Sequence, residues 1–308
     1  MNNEVKSTHT YIEDSRNEDV LIYINGEYFK RSEAKISVFD SGFLLGDGVW
    51  EGIRYHKNTF IFLYEHLDRL YEGAKSLSID IGFSKEDLVE LLQDLMKKNN
   101  MSNDIHIRLI VSRGLKKTPY QHPNANILGS TIVAIPEHKK ADKVVNELGV
   151  KLATVNTIRS TEKILDPKIN SLSKLNCILA CIEADNLNVD EGLMLDINGY
   201  VSTCNSTNFF MIKDNEVITS RGEYCLNGVT RGKVIEACRI NGIPINEVDF
   251  TIEDVHEADE AFVTGTFAGI IPVIDIDGKQ LSLGNRGELT SRLQLLYSEL
   301  INKEFNVN

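Results

Sequence analysis

Apolar and polar positions recur along this chain with two different periods, and those periods assign its elements. The runs at 20–24 and 27–29 flank Asn25-Gly26, a pair suited to a two-residue hairpin because both turn positions take positive φ. Residues 50–55 and 59–63 flank Lys57-Asn58 in the same way. Leu67, Leu70, Tyr71, Ala74 and Leu77 then recur at helical spacing. Ser84 and Asp87 read as the N-cap pair of a second helix that buries Leu88, Leu91, Leu92 and Leu95. Ile105, Ile107, Leu109 and Val111 alternate as a strand, and 131–135 reads as another.

Residues 136–145 are polar and carry Lys139, Lys140, Asp142 and Lys143, so a linker is expected there. Beyond it the pattern predicts strands at 150–155, 193–196, 200–202, 208–212, 217–219, 260–264 and 270–274. Helices are predicted near 175–184, 231–241 and 289–300. Hairpin-linked strands with interspersed helices suggest α+β packing instead of a doubly wound sheet. The expected domains are a disordered extension at 1–19, a small α/β domain at 20–137, a linker at 138–146 and a large α/β domain at 147–308.

A chain of 308 residues suits two domains, and 42% hydrophobic with 25% charged residues is enough for real cores. The net charge of −12 argues against a nucleic-acid partner, which requires a basic surface. No polybasic cluster and no apolar run of spanning length point to a membrane. The acidic start lacks the basic and apolar stretches of a secretory signal, so a cytoplasmic location is expected. Five cysteines, an odd number, are expected as free thiols. Cys177 and Cys181, one helical turn apart, read as small apolar residues of a buried helix. No further His or Cys stands at a zinc-like spacing, so no metal is expected.

Four separated blocks then occur in a telling order. The first runs from Phe39-Asp40-Ser41-Gly42 through Gly46-Asp47-Gly48-Val49-Trp50-Glu51-Gly52-Ile53-Arg54, followed by Glu65-His66-Leu67-Asp68-Arg69-Leu70. Asp196-Ile197-Asn198-Gly199-Tyr200-Val201 leads to Asn208-Phe209-Phe210. Leu226-Asn227-Gly228-Val229-Thr230-Arg231 precedes Thr264-Gly265-Thr266-Phe267-Ala268 and Ile271-Pro272-Val273. Over roughly residues 20–300 the chain resembles the class IV, or fold-type IV, pyridoxal-phosphate aminotransferases, and the branched-chain enzymes most. The resemblance implies the two-domain D-amino-acid/branched-chain aminotransferase fold and a homodimer. It gives Arg69 to the cofactor phosphate, whose cup would be completed by Gly228, Val229, Thr230, Thr266 and Phe267. A helix starting after Gly228 agrees, since its first N–H groups and positive end suit an anion.

The same resemblance exposes two departures. The family holds the cofactor aldehyde on a lysine that lies between an Asp-Pro segment and a Ser-Leu pair. Here Asp166-Pro167-Lys168-Ile169-Asn170-Ser171-Leu172 puts Asn170 at that position. The family also sets a glutamate against the ring nitrogen, and Val201-Ser202-Thr203-Cys204 puts Thr203 there. Lys168 is the alternative lysine, expected on a strand face shared with Asn170, and Lys174 is a second candidate.

The expected function is therefore a diverged class IV enzyme acting on a small carboxylate or amino-acid-type substrate, with lysine-bound chemistry lost or altered. Pyridoxal 5'-phosphate or pyridoxamine phosphate would be held non-covalently, or no cofactor at all. Two alternatives stand beside it: a branched-chain-type transaminase using Lys168, and a non-catalytic ligand-binding homologue. Arg108 lies on a strand where branched-chain members carry a substrate-facing arginine. His106 would share its face, with Trp50 and Tyr120 as further substrate contacts. His122 and Cys204 could also do chemistry in a remodelled pocket.

Overall fold

A computed structural model describes residues 13–140 and 143–305. Four two-residue turns have positive φ at both positions: 47° and 94° at Asn25-Gly26, 50° and 58° at Lys57-Asn58, 51° and 62° at Asp214-Asn215, and 56° and 80° at Asp277-Gly278. Two compact units emerge, and they interleave in sequence. One contains residues 13–140 together with 169–174; the other contains 143–168 and 175–303. Asn170 thus belongs to the first unit, within a six-residue segment that returns to it.

The first unit is built on a six-stranded antiparallel sheet. Its elements are β1 (Leu21–Ile24), β2 (Glu27–Lys30), helix α1 (Ser41–Leu45), β3 (Gly48–His56) and β4 (Thr59–Ile61). Helices α2 (Leu63–Ser76) and α3 (Lys85–Lys98) follow, then β5 (Ile105–Ser112) and β6 (Thr131–His138). The strands lie in the order β2-β1-β6-β5-β3-β4. Odd-numbered residues of β3 and β5, among them Val49, Ile53, Ile107 and Leu109, are buried with Leu67 and Leu70 of α2 and Leu88 and Leu92 of α3. Ser84 and Asp87 form the expected capping box of α3.

The start of the chain departs from expectation at residues 13–19, which are ordered from Asp14 onward and include a helical turn at Ser15–Asn17. The Asn17 side chain explains the order, because it satisfies both main-chain groups of His138, donating at 3.0 Å and accepting at 2.7 Å. Residues 1–12, the rest of the expected disordered extension, lie outside the described residues.

The second unit opens with helix α4 (Lys143–Leu148), where a linker was expected, and β7 (Val150–Thr154). It continues with α5 (Glu162–Leu165), α6 (Leu175–Asn186), β8 (Glu191–Leu195), β9 (Val201–Cys204), β10 (Asn208–Lys213) and β11 (Glu216–Thr219). Helix α7 (Val229–Ile240), β12 (Ile245–Glu247), α8 (Ile252–His256), β13 (Glu260–Gly265), β14 (Gly269–Ile276), β15 (Lys279–Gln280) and α9 (Glu288–Glu304) complete it. Its nine-stranded sheet runs β12-β11-β10-β13-β14-β7-β8-β9, with β15 beside β14. The sheet is mixed, being parallel at β11/β12, β14/β7 and β7/β8. Helix α6 corrects one expectation: it buries Ala180 and Ala184, whereas Cys181 is exposed and Cys177 half-buried. The buried thiols are Cys204, Cys225 and Cys238. No described helix is long and apolar enough to cross a membrane.

One charged cluster sits inside the first unit's core. Glu51 points inward from β3, fully buried, and accepts from Arg69 Nε at 2.8 Å and Arg69 Nη2 at 2.7 Å. His66 Nδ1 lies 2.6 Å from the same carboxylate. Burial pushes the Glu51 carboxyl up, but the Arg69 charge and the bonds from His66 and Arg69 outweigh it and hold it below the usual range. Such a carboxylate contributes stability above its unfolded-state value, about 4.3, and loses it as pH falls through the lower folded value. Glu51→Gln should therefore destabilise the protein at pH 7 by about 3–5 kcal/mol, because the buried cation partner is stranded. The gap between wild type and variant in chemical denaturation should narrow as the pH drops below about 4.

Candidate active site

The first unit gathers its candidate residues around Trp50. Antiparallel pairing of β3 with β5 sets Gly52 opposite Arg108 and Arg54 opposite His106. Trp50, His106 and Arg108 consequently share the sheet face away from the helices. The Arg108 guanidinium carbon stands 3.6 Å from the Trp50 ring centroid, and Lys174 Nζ stands 5.5 Å from it. Such stacking fixes a cation's direction while leaving its N–H edge available. The Arg108 side chain keeps solvent exposure, and its guanidinium stays charged at any neutral pH. His106 lies over Gly52, where a Cβ would stand 2.9 Å from Nε2; glycine makes room for the imidazole. Tyr120 is 71% exposed on the 113–130 loop, and His122 accepts from the main-chain N–H of Asn124.

Asn170 closes onto the same tryptophan from the edge of β3. Its main-chain oxygen accepts from Trp50 N at 3.0 Å, and its Nδ2 donates to Trp50 O at 2.7 Å. The neighbouring pairs Val49 with Ser171 and Leu172 N with Gly48 O extend the contact. The amide is 5% exposed, and its Oδ1 has no partner. The strand expected to carry Lys168 is instead a turn that follows α5. Lys168 is directed at Glu162 and Asp166, at 3.8 and 4.0 Å, with its side chain 41% exposed.

In the second unit the candidate phosphate cup forms around the start of α7. Gly228 is the N-cap residue and makes no side-chain cap bond, so the first N–H groups of this twelve-residue helix are left for an anion. A Cβ at Gly228 would meet Asn208 Oδ1 at 2.3 Å, so only glycine allows this approach. Asn208 is in turn the strand partner of Thr264. The Thr264 hydroxyl is buried and has no hydrogen-bond partner. Thr266 and Phe267 follow in the turn from β13 to β14. An uncapped helix start and an orphaned hydroxyl beside it fit a phosphate group.

Thr203 is buried, and its hydroxyl donates to Thr207 O at 2.7 Å. Thr207 Oγ1 donates to the buried Glu191 at 2.8 Å. Cys204 is buried beside them, and burial, aided by the Glu191 charge, raises its pKa well above the ordinary thiol value. Such a thiol is not a nucleophile at neutral pH.

Sequence reasoning missed Glu51, His66 and Thr264. A signal existed for the first two: Glu51 interrupts the inward series Val49, Ile53 and Tyr55, and His66 stands three residues before Arg69 on one helix face. Thr264 gave no such signal, since a threonine inside a strand is ordinary.

The family model for "Amino-transferase class IV" matches residues 48–276. An Arabidopsis thaliana branched-chain-amino-acid aminotransferase-like protein is 39% identical over 92% of this chain. The chain spans about half of that relative, the match covering 51% of its length. A putative branched-chain-amino-acid aminotransferase of Methanocaldococcus jannaschii is 37% identical, the match covering 92% of this chain and 96% of that one. Among solved structures, an Escherichia coli branched-chain amino acid aminotransferase aligns with a TM-score of 0.87. It is 28% identical, over 93% of this chain and 96% of the other. The mixed helix-and-sheet architecture is that of these enzymes, and the chain belongs to the class IV aminotransferase family.

Proposed function

We propose that this protein binds a pyridoxal- or pyridoxamine-type phosphate without a covalent bond to lysine and acts on a small, carboxylate-bearing, amino-acid-type substrate. The observation that carries the reading is Asn170: an amide folded onto the Trp50 carbonyl stands where the resemblance requires an amine. An amide offers neither a nucleophile nor a useful base near neutral pH. When bound, the pyridine ring would supply an electron sink. The chain's own residues would bind and orient. Within the second unit, the first N–H groups of α7, with the Thr264 and Thr266 hydroxyls, would hold phosphate oxygens. Arg108, braced on Trp50, takes a substrate carboxylate. Thr203 has committed its proton to Thr207 O, so it has no donor for the ring nitrogen and no charge to keep that nitrogen protonated.

Borohydride treatment with pyridoxal phosphate should leave the intact mass of the chain unchanged. A reduced phosphopyridoxyl adduct mapped to Lys168 or Lys174 would replace this reading with a transaminase that uses a displaced lysine.

The cup has its own test. Thr264→Val removes a hydroxyl that has no partner, so the ligand-free protein should melt at the same temperature or slightly higher. Pyridoxamine phosphate should raise the melting temperature of the wild type. Its affinity for the variant should be about three- to tenfold lower, one neutral hydrogen bond's worth. Equal affinity would remove Thr264 from the cup.

A second copy of the chain is the proposed partner. Leu175, Ile178, Leu179 and Ile182 form an outward apolar stripe on α6, each about half exposed or more. Sedimentation at micromolar concentration should give a dimer, and Ile178→Glu with Ile182→Glu should shift it toward monomer. A concentration-independent monomeric wild type would refute this assignment.

A further inference from the structure

Within the first unit, the pairing of β1 with β6 stops at Tyr23 and Ala134. Two residues further along β6 stands Pro136, which has no N–H with which to continue the ladder. Beyond it, one side chain serves the main chain of His138: Asn17 Nδ2 donates to His138 O at 3.0 Å, and Asn17 Oδ1 accepts from His138 N at 2.7 Å. The helical turn at Ser15–Asn17 is thereby clamped to the end of β6.

The ring of the same histidine sits among the charges of that turn. Its Nδ1 is closed off from solvent and has no hydrogen-bond partner. A neutral imidazole tolerates this by keeping its one proton on Nε2, which leaves Nδ1 a bare lone pair. A second proton would put an N–H on Nδ1 where nothing accepts it. The neighbouring charges are already engaged with one another. Arg16 and Asp14 face the ring from the turn, and Arg16 Nε and Nη2 lie 2.9 and 2.5 Å from the Asp14 carboxylate. Asp104, just before β5, is 3.0 Å from His56 Nδ1, and its main-chain oxygen accepts from Lys139 N. On β6 itself Glu137 is 3.2 Å from Arg31. Burial first, and the Arg16 charge second, hold the His138 ring below the usual imidazole range, with Asp14 opposing them.

We infer that the turn at Ser15–Asn17 is an acid-released latch: a proton taken up by the His138 ring opens the Asn17 clamp and frees the end of β6. The closed and open states differ in how readily they take that proton. With the latch open, the ring is in water and titrates near 6.5; closed, it titrates lower. Closure therefore keeps its full stability above about pH 6.5 and loses it as pH falls toward the closed value. Each pH unit across that interval lowers the closed-to-open ratio by up to about tenfold, the effect of one proton. Asp14, held down at about 2 by its bond from Arg16, stays charged throughout. An open latch leaves His138 N and O unpaired at a sheet edge, where another strand can add.

Hydrogen exchange at residue resolution tests the latch. The readout is the protection factor of the N–H at position 138 at pH 7.5 and pH 5.5, so that the intrinsic pH dependence of exchange cancels. Wild-type protection should fall about three- to tenfold on acidification. In His138→Gln it should not change with pH, because the ring is gone. His56→Gln, which removes the other nearby histidine, should behave as the wild type does. Asn17→Ala should exchange quickly at both pH values. Constant wild-type protection overturns the inference. So does a fall that persists in His138→Gln or disappears in His56→Gln. If His138→Gln does not fold, the NMR titration of the wild-type ring decides. A midpoint at or above about 6.5 sinks the latch, whereas a lower one accompanied by the loss of protection supports it.

Discussion

The edge of β3 must find hydrogen-bond partners for its main chain, and that requirement governs the site. Strand β4 pairs only with the far end of β3, at Arg54, Tyr55 and His56. The near end, Gly48 to Trp50, is paired by the returning segment at 170–172. Asn170 does this with both its main chain and its side chain, accepting from Trp50 N and donating to Trp50 O. The tryptophan held in this way carries the stacked Arg108 on its ring. One residue thus stabilises a sheet edge and fixes the backbone beneath the proposed carboxylate contact. An amide suits the work because it is compact and uncharged. An ammonium there would bury a charge, which an amide does not.

Much of the local architecture was legible in the sequence because it depends on local rules. Asn25-Gly26 and Lys57-Asn58 turn as expected, with both positions at the positive φ that glycine and asparagine tolerate best. Ser84 and Asp87 cap α3 because capping needs only a spacing of three. What could not be read depends on partners distant in sequence. Asn17 is ordered by His138, which lies 121 residues away. The exposure of Cys181 was misjudged because small apolar residues fit either face of a helix, and only packing decides which is covered. The turn at 166–169 escaped detection for a related reason. Asp166-Pro167 favours an extended or turned dipeptide equally, and the choice here brings the Asp166 carboxylate onto Lys168 N at 3.0 Å.

The candidate site was legible in a different way. Its residues came through the resemblance, position by position, and the geometry then supplied what a resemblance cannot. Arg69 was read as a phosphate cation, but the structure adds that the buried Glu51 takes two of its N–H groups, with His66 on the same carboxylate. An arginine held bidentately by a buried carboxylate is rigid and partly neutralised.

Thr203 and Asn170, the two positions at which the resemblance implies a departure, are alike in how they are seated. Each occupies a buried position, and each directs a side-chain donor at a main-chain carbonyl: Thr203 at Thr207 O and Asn170 at Trp50 O. Seating a buried donor in this way avoids the cost of leaving it unpaired, about 1–3 kcal/mol. Neither side chain carries a charge, so neither buried position holds an unpaired ion. The two positions differ in what remains. Thr203 sits in a turn closed by Thr207 and Glu191, whereas Asn170 keeps an unpaired oxygen. The unpaired acceptor is what sets position 170 apart from position 203.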